Sequence, residues 1–155
     1  MNQFLQSFLG RRDRNGNIYF VEERSKCVLL QLCWSEQWRE ASNRLRTHPR
    51  EAWCVNRFTY RTALHLVCFP SSKAPEFFID ELIRINPGAV SYIDKWKQTP
   101  LHIACCSSYL LSKSHVIQRL LNTILDTKPS LELKDAFASP SILFAAAKTI
   151  APQPT

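Results

Sequence analysis

The chain has 155 residues, a formal net charge of +7 and a hydrophobic fraction of 45%. This length and composition are typical of one globular domain with a sizeable core. With only three glycines, the sequence argues against a Gly-rich phosphate-binding loop, and no apolar run approaches the roughly 18 residues needed to cross a bilayer.

The positive charge is concentrated in the first 61 residues, where eleven Lys and Arg stand against six Asp and Glu. A basic half of this kind suits an acidic partner, whether an acidic protein surface, RNA or anionic lipid, but a solvated surface is the favoured interpretation. The six cysteines form no C-x-x-C pair, and no secretory signal is visible. We therefore expect reduced thiols rather than a disulfide framework, and a cytoplasmic or nuclear location.

Residues 1–24 are predicted to form an N-terminal arm. Phe4, Leu5, Phe8 and Leu9 have the spacing of a short amphipathic helix, and an Asn15–Asn17 turn follows. One interpretation is a targeting or membrane-surface peptide. The favoured interpretation is a flexible arm, or a segment docked on the domain that follows.

Residues 25–48 are predicted to form a helix pair. The second helix of this pair is expected to bury an apolar stripe of Trp34, Trp38, Ala41 and Leu45, which recur at helical spacing. Pro49 ends it, because a residue before proline disfavours the helical region.

A helix-opening pattern then occurs twice, 37 residues apart. Thr62 and Thr99 are good N-cap residues, and Pro100 suits the first position of a helix because its missing N–H would be unpaired there anyway. A weaker third copy covers residues 138–145. Helices are predicted over residues 62–68 and 99–109, with return helices over 76–86 and from Ser114 onward, and a last outgoing helix over 139–148.

The repeated pattern Thr-Pro-Leu-His-x-Ala is similar to the signature of the ankyrin-repeat family. The resemblance covers roughly residues 25–148. It implies an all-α, ankyrin-like helical-repeat solenoid with β-turn finger loops, in which residues 25–48 cap the array, 49–86 and 87–128 are repeats, 129–148 is an incomplete repeat and 149–155 is a tail. The signature positions, whose role the resemblance gives as structural, are Thr62, Leu64, His65, Thr99, Pro100, Leu101 and His102.

The finger loops depart from the family pattern at one position. The family has a left-handed glycine two residues before each signature threonine, whereas this chain has Tyr60, Lys97 and Phe137 there. Either the turns differ from those of the family, or each holds a strained residue at a cost of about 1 kcal/mol.

The resemblance implies partner binding through the fingers and the concave helix face. The fingers are aromatic and basic, and such residues are enriched at binding hot spots. They are equally suited to packing finger against finger. The candidate partner-binding residues are Trp53, Arg57, Phe58, Tyr60, Arg61, Tyr92, Lys95, Trp96 and Lys97.

We therefore predict a non-catalytic protein-interaction module whose partner has an acidic surface. The alternative is nucleic-acid or acidic-surface binding through the same basic, aromatic fingers. His65 and His102 are each followed by cysteine three residues on, but equivalent positions of stacked repeats lie too far apart to share one metal ion. No catalytic motif is present, so we expect no enzyme activity, cofactor, metal, membrane span or small-molecule substrate.

Overall fold

The computed structural model describes residues 10–12, 18–21, 27–105 and 114–127, and the fold of these residues is mostly helical. The α-helices are α1 (Val28–Trp34), α2 (Trp38–Thr47), α3 (Ala63–Val67), α4 (Glu76–Ile85), α5 (Pro100–Cys105) and α6 (Ser114–Thr127). They lie at the predicted places in the sequence. None of the helices in this part of the chain is long and apolar enough to cross a membrane.

The helices form three pairs in chain order, since α1 contacts α2, α3 contacts α4, and α5 contacts α6. Helix α3 also contacts both α1 and α5, and α4 contacts both α2 and α6. The short helices therefore form one row and the longer helices a second row. The main hydrophobic core lies between the rows and runs from Cys27 to Ile124.

The two signature threonines start their helices as the sequence predicts. Thr62 is the N-cap of α3, where its hydroxyl accepts from the backbone N–H of His65 at 3.4 Å. Pro100 is the first residue of α5. Helix α1 has a different start, because Cys27 offers no side-chain cap and the carboxylate of Glu51 accepts from Leu29 N at 2.8 Å instead.

Each link between a long helix and the next signature begins with a 3₁₀ turn. These turns cover Pro49–Trp53 and Pro87–Ser91 and place proline in the first turn, where no hydrogen bond from its nitrogen is needed. The side-chain amide of Asn86 donates to Ala52 O at 3.1 Å and joins the second link to the first.

A three-stranded sheet of short strands, absent from the predicted architecture, attaches the arm to the first link. Strand β1 (Gly10–Arg12) pairs antiparallel with β2 (Ile18–Val21), and β2 pairs parallel with β3 (Cys54–Val55). The predicted Asn15–Asn17 turn falls between β1 and β2 in the sequence and lies outside the described residues. Residues 18–21 are thus docked on the helical domain. Docking is one of the two forms that the favoured interpretation of the arm allows.

The prediction for Trp34 is wrong. Trp34 ends α1 and 76% of its surface is exposed, because the turn at Ser35–Gln37 delays the start of α2 to Trp38. Ala41 and Leu45 are buried as predicted. The predicted helix near Phe4, the third signature copy and the helix over 139–148 lie outside the described residues.

Candidate interaction surface

Two finger loops precede the signature helices. We define the first finger as residues 54–61 and the second finger as residues 92–98. Each is closed by a backbone hydrogen bond, Asn56 N to Arg61 O in the first and Asp94 N to Gln98 O in the second, both at 2.9 Å. The fingers therefore end directly before Thr62 and Thr99, so each N-cap threonine fixes the point at which its finger joins the following helix.

A single polar side chain folds each finger from within. Asn56 Oδ1 accepts from the backbone N–H groups of Phe58 at 2.9 Å and Thr59 at 3.1 Å. Asp94 Oδ1 accepts from the N–H groups of Trp96 and Gln98, both at 2.9 Å. Asn and Asp favour such turns because their short side chains reach backbone amides two residues ahead.

Both fingers keep the left-handed residue of the family pattern without glycine. Tyr60 has φ 56° and Lys97 has φ 61°. Of the two alternatives posed by the sequence, the strained one holds at these positions. The non-glycine residues in this region cost roughly 1–2 kcal/mol each, which the hydrogen bonds of the surrounding loops offset.

The two fingers are joined to each other. Lys95 N donates to Thr59 O at 2.9 Å, and Arg61 Nε donates to Asp94 Oδ2 at 3.0 Å. The guanidinium carbon of Arg61 lies 4.7 Å from the ring centroids of both Phe69 and Trp96. Arg61 thus braces the second finger against the first through the ion pair with Asp94 and the cation–π contact with Trp96, and it also contacts Phe69, which follows α3.

Five of the predicted partner-binding residues are exposed at the finger tips. Phe58 and Trp96 have 65% and 56% of their surface exposed, and the guanidinium carbon of Arg57 lies 4.3 Å from the Phe58 ring centroid. We call the following set the tip patch: Arg57, Phe58, Lys95, Trp96 and Lys97.

The other four predicted partner-binding residues are corrected by the structure. Tyr92 is only 2% exposed, and Trp53 and Tyr60 pack around it in a second hydrophobic cluster. Arg61 is engaged with Asp94, and its side chain is 16% exposed. Aromatic residues at the base of a finger are buried because burial of their large apolar area is favourable. The sequence pattern alone does not distinguish positions at the base from positions at the tips.

The signature histidine His65 has a structural role. Its Nδ1 accepts from Thr62 N at 3.2 Å, so Nε2 carries the proton and donates to Gln98 O at 3.1 Å. Burial lowers the pKa of His65 from 6.5 to about 4, which keeps the ring neutral near pH 7. One ring therefore caps α3 and holds the end of the second finger.

His102 repeats this arrangement at Thr99, with Nδ1 accepting from Thr99 N at 3.2 Å. It is half-buried, and burial lowers its pKa as well. Among the described residues, no group of three or more His, Cys, Asp or Glu has the arrangement of a metal site.

Two residues that shape this surface were not predicted from the sequence. Asn56 folds the first finger, and its signal was a turn-forming residue six positions before Thr62. Tyr19 fills the base of both fingers, and its signal was the run Ile18–Val21 of β-favouring residues directly after an Asn-Gly turn.

No family model matches the chain, and searches of curated proteins and of solved structures found no match either. The function proposed for the chain therefore depends on its own geometry.

Proposed function

We propose that this protein is a non-catalytic interaction module of the ankyrin type, and that its tip patch binds a protein with an acidic surface. The observation that carries the proposal is the tip patch itself: two exposed aromatic rings and three exposed cations on two fingers that are joined by Arg61 and Asp94. The rings supply apolar area for burial, and the cations steer a partner of opposite charge.

Three local features support the ankyrin-type architecture. Each signature threonine is bonded to the histidine three residues later, and each finger has a left-handed residue two positions before that threonine. The helix pairs also contact one another in chain order. These features occur at the sequence positions that carry the resemblance to the ankyrin-repeat family.

The fingers are a better candidate for the binding surface than the short helices. Every residue of α3 except Leu66 is buried, and every residue of α5 except His102 is buried. These helices therefore offer little surface to a partner. The finger tips instead expose the large side chains of Phe58 and Trp96.

Charge favours an acidic partner. Asp94 is the one acidic residue in the sequence of the two fingers, and Arg61 neutralises it. Arg57, Lys95 and Lys97 remain as positive charges at the tips. We also propose a cytoplasmic or nuclear location. In its support, five buried cysteines of the described part of the chain are thiols in no disulfide: Cys27, Cys33, Cys54, Cys68 and Cys105.

The test compares two exposed tryptophans. Trp96→Ala removes a ring of the tip patch, whereas Trp34→Ala removes an even more exposed ring that ends α1. Proteins captured from nuclease-treated lysate by the wild-type chain are identified, purified and measured by calorimetry. We expect Trp96→Ala to weaken binding by about 2 kcal/mol, the size of a hot-spot residue, and Trp34→Ala to leave it unchanged.

Equal binding by both variants would contradict the proposal. A ligand that disappears with nuclease, and whose affinity falls steeply with salt, would instead favour the nucleic-acid alternative that the basic, aromatic tips also suit. Circular dichroism of each variant checks that the fold is retained.

A further inference from the structure

A second hydrophobic cluster lies at the base of the two fingers, separate from the main core. Its buried members are Tyr19, Val55 and Tyr92, and Trp53 and Tyr60 pack against it. The described part of the main core begins at Cys27 and includes no residue of the arm. Among the residues whose side chains the structure describes, Tyr19 is thus the one member of this cluster that comes from the arm.

Tyr19 occupies a pocket of aromatic side chains. It is completely buried, its ring centroid lies 4.0 Å from that of Tyr92 and 5.4 Å from that of Trp53, and both pairs are tilted. Aromatic pairs with centroids about 4.5–7 Å apart, as in Tyr19 and Trp53, attract one another beyond the effect of area burial. The pocket therefore fits an aromatic side chain by shape and by ring geometry.

The backbone beside the pocket pairs with an extended segment. Phe20 is opposite Cys54 and Val21 is opposite Val55 in a parallel ladder. Because β3 has only two residues, this ladder is short, and parallel pairing is slightly weaker per residue than antiparallel pairing. The buried Tyr19 ring therefore adds to the hold of this ladder on the arm.

We propose that this pocket is a binding site for an extended segment with an aromatic residue, which adds to Cys54–Val55 as a parallel strand. The arm of this chain is its resident occupant and is displaceable. Strand addition of this kind takes affinity from backbone hydrogen bonds and specificity from a side-chain pocket. A partner with a tyrosine in an extended segment competes for the same place.

The position of the pocket links its occupant to both fingers. Val55 leads directly into the loop at Asn56, and Tyr92 lies two residues before Asp94. An occupant that contacts Val55, Trp53 and Tyr92 therefore supports both fingers from below. Exchange of the occupant therefore alters this support. The buried residues of the main core include neither Tyr19 nor Val55 nor Tyr92, and Trp53 packs against both clusters.

The test uses the full chain with Tyr19→Asp, because burial of a carboxylate in an aromatic pocket is strongly unfavourable and expels the arm. Tyr19→Phe is the matched control, since it keeps the ring. The probe is a fluorescent peptide with the sequence of residues 10–21, followed by anisotropy, and the control peptide has Asp in place of the tyrosine.

We expect the probe to bind Tyr19→Asp on the order of 100-fold more tightly than it binds the wild-type chain or Tyr19→Phe. A tethered arm acts at an effective concentration in the millimolar range and excludes the free peptide from an intact pocket. The Asp-containing peptide should not bind, and Trp96→Ala combined with Tyr19→Asp should bind the probe normally. The last result separates this site from the tip patch.

Failure of the probe to bind folded Tyr19→Asp at millimolar concentration would overturn the proposal. If that variant does not fold, hydrogen exchange of the wild-type chain decides the matter. Amides of Ile18–Val21 that open at lower free energy than those of α3 and α4 support a displaceable arm, whereas opening only by global unfolding refutes it.

Discussion

The two fingers differ in the side chain that folds them. Asn56 is neutral, and its Oδ1 accepts from the backbone N–H groups of Phe58 and Thr59 and from the Thr59 hydroxyl, all within the first finger. Asp94 is charged and fully buried at its side chain, so it needs both the local N–H groups of Trp96 and Gln98 and the guanidinium of Arg61 from the first finger. The first finger is thus folded by contacts within its own loop, whereas the second is folded by contacts within its loop and by a contact with its neighbour.

This difference shows how the second finger and its helix come to depend on the first finger and its helix. A neutral turn residue is satisfied by its own loop, whereas a buried carboxylate must be paired or its burial becomes very unfavourable. Three hydrogen bonds join the first finger and its helix to the second finger: Arg61 Nε to Asp94 Oδ2, His65 Nε2 to Gln98 O, and Lys95 N to Thr59 O. Substitutions at equivalent positions should therefore have unequal effects.

The largest expected effect is that of Asp94→Ala. It leaves Arg61 without its carboxylate and two backbone N–H groups without an acceptor, so we expect a loss of about 3–5 kcal/mol in the free energy of unfolding. Asn56→Ala, at the equivalent position, should cost about 1–2 kcal/mol. Urea unfolding followed by circular dichroism gives both values.

Asp94→Asn serves as the control for this pair, because it keeps an acceptor for the turn and removes only the charge. Its loss should lie between the other two. Similar losses for Asp94→Ala and Asn56→Ala would remove the proposed asymmetry between the fingers.

The next effect concerns pH. His65 has a folded pKa of about 4 against 6.5 for the free side chain, so between these values the unfolded state binds more protons and stability rises with pH. The stabilisation is complete above pH 6.5 and is lost as the pH falls toward 4. The separation of the two pKa values corresponds to about 3 kcal/mol.

His65→Gln keeps an acceptor for the cap of α3 but cannot titrate, so its urea midpoint should depend less on pH between 6.5 and 4 than that of the wild-type chain. His102→Gln should flatten the profile less, because His102 is only half-buried. A wild-type profile that His65→Gln does not alter would disprove the assignment.

The smallest expected effect comes from the left-handed residues. Lys97→Gly should stabilise the chain by about 0.5–1 kcal/mol, because glycine adopts positive φ without strain. Tyr60→Gly should give no such gain, since the Tyr60 side chain packs against the second hydrophobic cluster. Thermal unfolding of both variants measures the contrast.

Lys97→Ala is the control here. It retains a Cβ atom and should not stabilise the chain. An equal gain from Lys97→Ala and Lys97→Gly would show that loss of the lysine charge, and not relief of backbone strain, is responsible.

Much of the helical framework was predictable because its signals are local. A threonine cap, a proline at the first helical position and apolar residues at helical spacing all act within one or two turns, so the sequence placed α3, α4, α5 and α6 within a few residues. The candidate surface was only partly predictable. Phe58 and Tyr92 are both aromatic finger residues, yet the first is exposed and the second buried.

By itself, the sequence determined the mostly helical fold and the starts of the signature helices, since these depend on neighbours along the chain. Only the tertiary structure decided which residues come together from distant segments. Glu51 caps α1 from 22 residues away, Tyr19 fills the base of the fingers, and Arg61 pairs with Asp94 across 33 residues. Such pairings depend on how packed elements meet in space, and no local pattern encodes that geometry.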